Sequence, residues 1–233
     1  AMGEMIENIA HQWRQPLSVI STISSSLKIK KEMNILDDKE FYEALQNINK
    51  TSEHLSNTID DFRNFFSPNK EMNKFYVSQL IKKSKDLIKS RFDKFNIKVI
   101  ENIDDIEILS YQNELFQVIL NLFSNSIDVL SSNEIEDKII HIKIYQDENN
   151  LCIEFLDNGG GIKDEFINRV FEPYFTTKHK SQGTGIGLYM SLQIVTKHLN
   201  GEISVKNDTF IHNNIKYFGA KFTILLPIHP KNS

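Results

Sequence analysis

The chain has 233 residues, 40 % hydrophobic and 25 % charged, the proportions of a globular protein with room for one large or two smaller domains. Its net charge of −4 divides evenly, −2 on either side of residue 70, so no basic half or stripe points to nucleic acid. No run of about eighteen apolar residues is present to span a membrane, and the lone Cys152, in Leu151-Cys152-Ile153, excludes a disulfide framework and reads as a small buried hydrophobe. With no secretory leader pattern at the start, these features predict a cytoplasmic segment that contacts neither membrane nor nucleic acid.

Residues 4–33 carry an apolar stripe of Ile6, Ile9, Trp13, Leu17, Ile20, Ile23 and Leu27, spaced by threes and fours as on a helix that packs against other helices. Asn34 to Asp38 interrupts it. A second stripe follows at Phe41, Leu45, Ile48, Leu55, Ile59, Phe62 and Phe66, with Thr51 and Ser52 where apolar side chains belong, and Ser67-Pro68-Asn69 ends it. Two long helices on a short turn cannot bury both stripes alone, and each large apolar side chain left wet forgoes about 1.5–3 kcal/mol. The expectation is a homodimer in which two hairpins make a four-helix bundle; the alternative is packing on the chain's own second domain.

Beyond residue 72 the pattern becomes mixed. Strands are predicted near Lys74–Val77, Ile97–Asn102, Glu107–Ser110, Ile139–Gln146, Leu151–Leu156, Gly201–Val205 and Lys216–Leu226, and helices near Ser78–Phe95, Gln112–Leu130 and Gly185–Leu199. This is a mixed sheet covered by helices. Residues 176–184 are polar, basic and glycine-bounded, and read as a mobile loop. The predicted organisation is a helical domain over 1–68, a linker over 69–73 and an α/β domain over 74–233.

Glycine is scarce, nine in all, yet six fall between residues 159 and 187, in Asp157-Asn158-Gly159-Gly160-Gly161-Ile162 and Gly183-Thr184-Gly185-Ile186-Gly187-Leu188. The second cluster opens a predicted helix, where backbone N–H groups favour an anion. Together they suggest a phosphate or nucleotide cradle, although no Gly-Lys-Ser/Thr follows and neither loop continues the first strand of a βαβ unit. Asn121 and Asn125 share one face of their helix. Neutral amide oxygens can hold Mg²⁺ or its waters without adding negative charge near phosphates; taken alone, the pair equally suits two solvated positions. Asp157, at a strand end entering a glycine turn, can accept from an adenine amino group or merely form an Asx turn. His11 lies in His11-Gln12-Trp13-Arg14-Gln15-Pro16-Leu17, where Pro16 inside a helical pattern frees the Gln12 carbonyl at a cost of about 3 kcal/mol.

Taken in order, these motifs resemble those of the catalytic core of bacterial sensor histidine kinases of two-component systems. His11 to Leu17 resembles the H box and Asn121 to Ser126 the N box. Asp157 to Ile162 resembles the G1 box, Phe171-Glu172-Pro173-Tyr174-Phe175 the F box and Gly183 to Leu188 the G2 box. The resemblance implies a helical-hairpin dimerisation and phosphotransfer domain followed by an α/β-sandwich, Bergerat-type ATP-binding domain. It implies that His11 takes the γ-phosphoryl group of ATP and passes it to an aspartate of a response regulator receiver domain. Asn121 and Asn125 would hold Mg²⁺ and phosphates, and Asp157 would recognise adenine, with Gly159 and Gly161 shaping the pocket. Gly183, Gly185 and Gly187 would hinge a lid and line the phosphates, with Leu188 closing the motif. The linker would flex to bring histidine and nucleotide together. Ala1-Met2 looks vector-derived, so the expectation is a protein that extends upstream, this segment being the soluble part of a longer, membrane-anchored sensor.

Several positions depart from the family pattern. Many members carry Glu or Asp after the phosphoacceptor; here Gln12 cannot take a proton at neutral pH. Glu7, four residues before His11, shares its face and is a candidate to orient the ring. Gln15, four residues after it, matches the position linked in the family to phosphatase action. Where some members place a lysine three residues after the second asparagine, this chain has Asp128, so cationic help to the phosphates is expected from Lys178 first and Lys180 second. The alternative reading is a nucleotide-binding pseudokinase or scaffold, which Gln12 favours and the intact Asn121, Asn125, Asp157 and glycine loops oppose. A general ATPase is disfavoured because Asn121 stands where such enzymes usually carry a glutamate base.

Overall fold

A computed structural model describes the backbone of residues 2–65, 71–177 and 185–229, with side chains throughout except at 2–13, 15, 54 and 57–65. The described parts fall into two compact units, one within residues 1–68 and the other within 69–176 and 185–233.

The first unit is a pair of helices, α1 (Met2–Glu32) and α2 (Asp38–Phe65), packed on each other. α1 runs through Pro16. It stops where Asn34 enters the left-handed region at φ 56°, a conformation asparagine tolerates better than most residues, with Asn34 N donating to Lys31 O and Ile35 N to Lys30 O. α2 starts on a side-chain cap, since the Glu40 N–H donates to Asp37 Oδ1 at 2.7 Å, and Glu40 also pairs with Lys30 across the turn. At the irregular point of the second stripe the helix continues because the Thr51 hydroxyl donates back to Asn47 O at 2.7 Å.

The second unit begins with β1 (Asn73–Tyr76) and α3 (Val77–Phe95), followed by β2 (Ile97–Ile103), β3 (Glu107–Ser110) and α4 (Gln112–Ser132). β4 (Lys138–Asp147), β5 (Asn150–Asp157) and the short α5 (Asp164–Ile167) come next. The chain ends with α6 (Gly187–Gln193), a π-helical turn at Ile194–His198, β6 (Glu202–His212) and β7 (Ile215–Pro227). Five strands form a sheet in the order β2-β4-β5-β7-β6, parallel only between β2 and β4; β1 and β3 form a separate antiparallel pair. Both long hairpins turn on left-handed residues, Glu148 at φ 52° and Asn213 and Asn214 at 51° and 62°, the backbone that two-residue hairpins require.

The core lies between this sheet and α3, α4 and α6. α4 is a helix because its apolar residues recur at helical spacing, and Leu115, Val118, Ile119, Leu122, Phe123, Ile127 and Leu130 are all fully buried. They meet the alternate strand residues Ile140, Ile142, Ile153, Phe155 and Ile224, also fully buried. Phe123 anchors the interface edge-on to Phe92 and to Phe155, at centroid distances of 5.5 and 5.0 Å. The other sheet face carries a smaller cluster of Ile139, Leu156 and Phe210, with Phe210 stacked between His141 and Tyr217. Cys152 is buried, and burial pushes its thiol pKa up, as expected of a packing residue. Among the described residues no helix is long and apolar enough to cross a membrane.

Three elements differ from the sequence expectation. The last helix starts at Gly187 instead of Gly185 and ends in a π turn, β6 runs on from Val205 to His212, and α5 was unforeseen. β6 extends through the polar run Lys206-Asn207-Asp208 because β7 supplies a complete antiparallel partner there.

Candidate nucleotide site

Four segments of the second unit converge: the middle of α4, the loop after β5, the start of α6 and the first half of β7. β5 delivers Asp157 at its end, 4 % exposed. Asp157 Oδ1 accepts from the Gly159 N–H at 2.9 Å, and Oδ2 lies 3.4 Å from the Ser126 hydroxyl of α4. Burial raises the carboxyl pKa above the ordinary aspartate range; the N–H groups of Gly159 and Ala220 and the Ser126 hydroxyl oppose that shift without cancelling it. A buried carboxyl held at a defined orientation is suited to recognising a hydrogen-bond donor.

The loop that follows is fastened from several sides. Asn158, also buried, accepts from Ile139 N at 2.8 Å and donates to Asp137 O at 2.6 Å, tying the loop to the start of β4. Asn133, just past α4, donates to Gly159 O at 2.9 Å. Asn207 of β6 clamps Ile162 through both amide atoms, accepting from its N–H at 2.8 Å and donating to its carbonyl at 2.7 Å, beside Gly161 at φ 78°. On β7, a Cβ at Gly219 would strike the backbone carbonyl of Asp157, so only glycine admits this approach.

α4 brings Asn121 and Asn125 to the same region. Asn121 Nδ2 donates to Ser191 Oγ of α6 at 2.8 Å. A Cβ on Gly187 would collide with Asn121 Oδ1, so a glycine opening α6 lets that helix start against the asparagine amide. Leu188 is half-buried in the same first turn. Gly185, at φ 65°, accepts at its carbonyl from Tyr174 N at 2.9 Å, which links the two loops; Tyr174 is itself left-handed at φ 66°. Asn125 Nδ2 is buried without a hydrogen-bond partner. Such a group costs about 1–3 kcal/mol while unmade, and its amide retains capacity for a ligand.

The structure thus brings Asn121, Asn125, Asp157, Gly159, Gly161, Gly185, Gly187 and Leu188 into one region of one unit. Lys178, Lys180 and Gly183 lie outside the described residues. Glu7, His11 and Gln15 have helical backbones within α1, and their side chains lie outside the described residues. Ser126, Asn133, Asn207 and Gly219 contribute to the site although the sequence reading missed them. Gly219, a glycine inside a strand pattern, carried a readable signal of close backbone approach. Among the described residues no cluster of histidine, cysteine, aspartate and glutamate suits a metal. A metal here would rest on amide oxygens, consistent with the neutral donors that Asn121 and Asn125 offer.

A model of the histidine kinase-, DNA gyrase B- and HSP90-like ATPase family matches residues 110–230, and one of the His kinase A phospho-acceptor domain matches residues 1–71. The chain belongs to the sensor histidine kinase family. Its ATPase-family half contains Asn121, Asn125, Asp157 and both glycine clusters, and its phospho-acceptor half contains His11. Among sensor histidine kinases it is 26 % identical to the signal transduction histidine-protein kinase AtoS of Escherichia coli, over all of this chain and 36 % of that protein. It is 28 % identical to sporulation kinase E of Bacillus subtilis, over 97 % of this chain and 29 % of that one. The chain therefore spans about a third of these curated relatives. The catalytic domain of histidine kinase ThkA aligns with a TM-score of 0.57 at 25 % identity, covering 69 % of this chain and 97 % of that one. ThkA in its complex with the response regulator protein TrrA aligns over all of this chain and 63 % of that one, with a TM-score of 0.72 at 23 % identity, a likeness of fold.

Proposed function

We propose that this chain is the autophosphorylating core of a two-component sensor: His11 takes the γ-phosphoryl group of ATP and hands it to an aspartate of a response regulator. One observation carries the proposal. A single chain joins a phospho-acceptor domain containing His11 to an ATPase-type domain in which a buried, oriented Asp157 and an unpartnered Asn125 amide face one region. Relatives named as kinases, and the ThkA–TrrA complex, favour transfer over a silent scaffold.

In the proposed reaction a neutral imidazole nitrogen of His11 forms a bond to the γ-phosphorus, the bond to the bridging oxygen breaks, and ADP departs with the electron pair. An unperturbed imidazole, with a pKa of about 6.5, is mostly neutral at neutral pH, so the nucleophile is available without strong activation. The ring proton is lost on transfer; Gln12 cannot take it, and Glu7 is placed by sequence to orient the ring. Asp157 accepts from the adenine amino group, and the N–H groups of Gly159 and Ala220 keep its carboxylate aligned for that task. Asn121 and Asn125 are the candidate holders of Mg²⁺, which when bound would neutralise phosphate charge. The start of α6 at Gly187 and Leu188, with Gly185, offers backbone donors to the phosphates, and Lys178 and Gly183 belong to the proposed lid.

The proposed working unit is a homodimer. Leu17 is 53 % exposed and Phe41 and Leu45 each 38 % in the isolated hairpin, so its apolar stripes call for a second copy. The functional boundaries proposed are 1–68 for dimerisation and phosphotransfer, 69–73 as linker and 74–233 for catalysis. Gln15 is proposed to serve a phosphatase activity toward the regulator, and the segment to work in the cytoplasm as part of a longer sensor.

The test is incubation of the purified chain with γ-labelled ATP and Mg²⁺. An acid-labile, base-stable label on wild type that vanishes in His11→Gln is expected. Equal labelling of His11→Gln would overturn the site, and nucleotide binding without any label would favour the pseudokinase.

A further inference from the structure

The proposed reaction leaves one ion pair beside the site unused. Arg91, late in α3, reaches α4 with Nη2 2.7 Å from Asp128 Oδ1, while Nη1 donates to Ser124 Oγ at 3.0 Å. Both side chains are about one-third exposed, Arg91 at 38 % and Asp128 at 33 %, so the pair is neither fully desolvated nor fully screened by water.

The position of Asp128 gives the pair its interest. It follows Asn125 by three residues, which places the two about 60° apart around the helix axis. Their Cβ atoms are then neighbours at about 5–6 Å. One residue further on, Val129 packs against Gly159 of the loop after β5. Asp128 therefore flanks the stripe that faces the candidate site, and its formal charge is the wrong one for a polyphosphate. Ser124 lies one turn back on the same flank, so the forked contact holds the guanidinium over that edge of α4 and not out in solvent.

Resting on the nucleotide reading above, we propose that Arg91 is a charge-masking residue of the nucleotide site: its guanidinium holds the Asp128 carboxylate so that it does not repel the phosphates of the bound nucleotide. A clamp that merely joins α3 to α4 would behave differently. It would support the fold and the binding of every ligand alike, whereas a mask matters only for ligands that carry phosphate. It also becomes dispensable once the charge it hides has been removed.

The experiment measures the affinity of the full chain for ATP and for adenosine by titration calorimetry or probe displacement. The variants are Arg91→Ala, Arg91→Lys, Asp128→Asn and the Arg91→Ala/Asp128→Asn pair. Arg91→Ala is expected to weaken ATP about tenfold at low salt while adenosine moves less than about twofold, with the deficit shrinking as ionic strength rises. Asp128→Asn should bind ATP as well as wild type or better, and the double variant should return to the wild-type value. Arg91→Lys, which keeps the charge, should stay within about threefold of wild type and keeps the test open if the alanine variant misfolds. Unchanged ATP affinity in Arg91→Ala, or equal loss of ATP and adenosine without rescue by Asp128→Asn, overturns the mask. A wild-type chain that binds no ATP would defeat the nucleotide reading itself, a distinct outcome.

Discussion

At one end of the candidate site, Asp157 is buried under three donors and the loop beyond it is fastened by Asn133, Asn158 and Asn207. At the other end, Asn125 keeps a buried Nδ2 with no partner, and Gly185 and Gly187 hold the start of α6 against Tyr174 and Asn121 through contacts only glycine permits. The first end is complete before any ligand arrives; the second carries an unmet hydrogen bond. A closed network gives shape and selectivity, because reorganising it would cost several bonds at once. An unmet donor costs stability now and returns it on binding, which suits an end where a variable number of phosphates and an ion must be accommodated. Base recognition would then be rigid, and phosphate recognition adaptable.

The largest effect that tests this contrast is at Asp157. Asp157→Asn should lower ATP affinity about a hundredfold by presenting a mismatched group to the base in a fully desolvated spot. The apo protein should nevertheless be no less stable. The folded carboxyl titrates above the unfolded one, so the wild type loses stability as pH rises from the unfolded pKa through the folded pKa, and the loss persists at higher pH. The asparagine variant lacks that loss, and denaturant melts at acid and neutral pH should reveal a flatter profile. A variant that binds ATP normally would remove the base-recognition end from the picture.

Next in size is Gly219→Ala. Its Cβ meets the Asp157 carbonyl, and forced strand displacement should destabilise the unit by about 1–3 kcal/mol, measured by urea unfolding. Asn207→Ala should follow, at about 1–2 kcal/mol for the two bonds to Ile162, with a few-fold loss in ATP affinity as the loop loosens. The smallest shift has the opposite sign. Asn125→Leu removes an unpaired buried donor and should stabilise the apo protein by up to about 1 kcal/mol in the same melts, while weakening ATP binding in the presence of Mg²⁺. If instead it destabilises the apo protein, the two ends of the site are not built on different terms.

Much of the architecture was legible because the hydrophobic periodicity was strong. α4 announced itself through Leu115, Ile119, Leu122 and Phe123, and β4 and β5 through apolar runs around a polar turn. Glycine scarcity marked the two loops before any geometry was known. The polar end of β6 stayed hidden, since Lys206 to Thr209 shows no alternation and owes its extended form to pairing with β7. Asn207 and Asn133 were invisible for a related reason. Each acts through its side chain on backbone far away in sequence, Asn207 on a residue 45 positions back, and local patterns do not record such contacts. Arg91 is a similar case. An arginine on an exposed helix predicts nothing until the neighbouring helix shows which carboxylate it covers.

The π turn at Ile194–His198 holds one residue more than a regular helix of the same length, with Leu199 N reaching Ile194 O across five positions. That surplus residue sets the phase of the helix end, where His198 Nδ1 meets Glu114 Oε1 at 3.0 Å near the root of α4. Deleting a single residue there would let the coil wind regularly while swinging everything after it by about 100°. Ile194 and Val195 would stay anchored while the imidazole turned away from its carboxylate. Helix content measured by circular dichroism would scarcely register such a shortening, yet the join between the two helices would come apart.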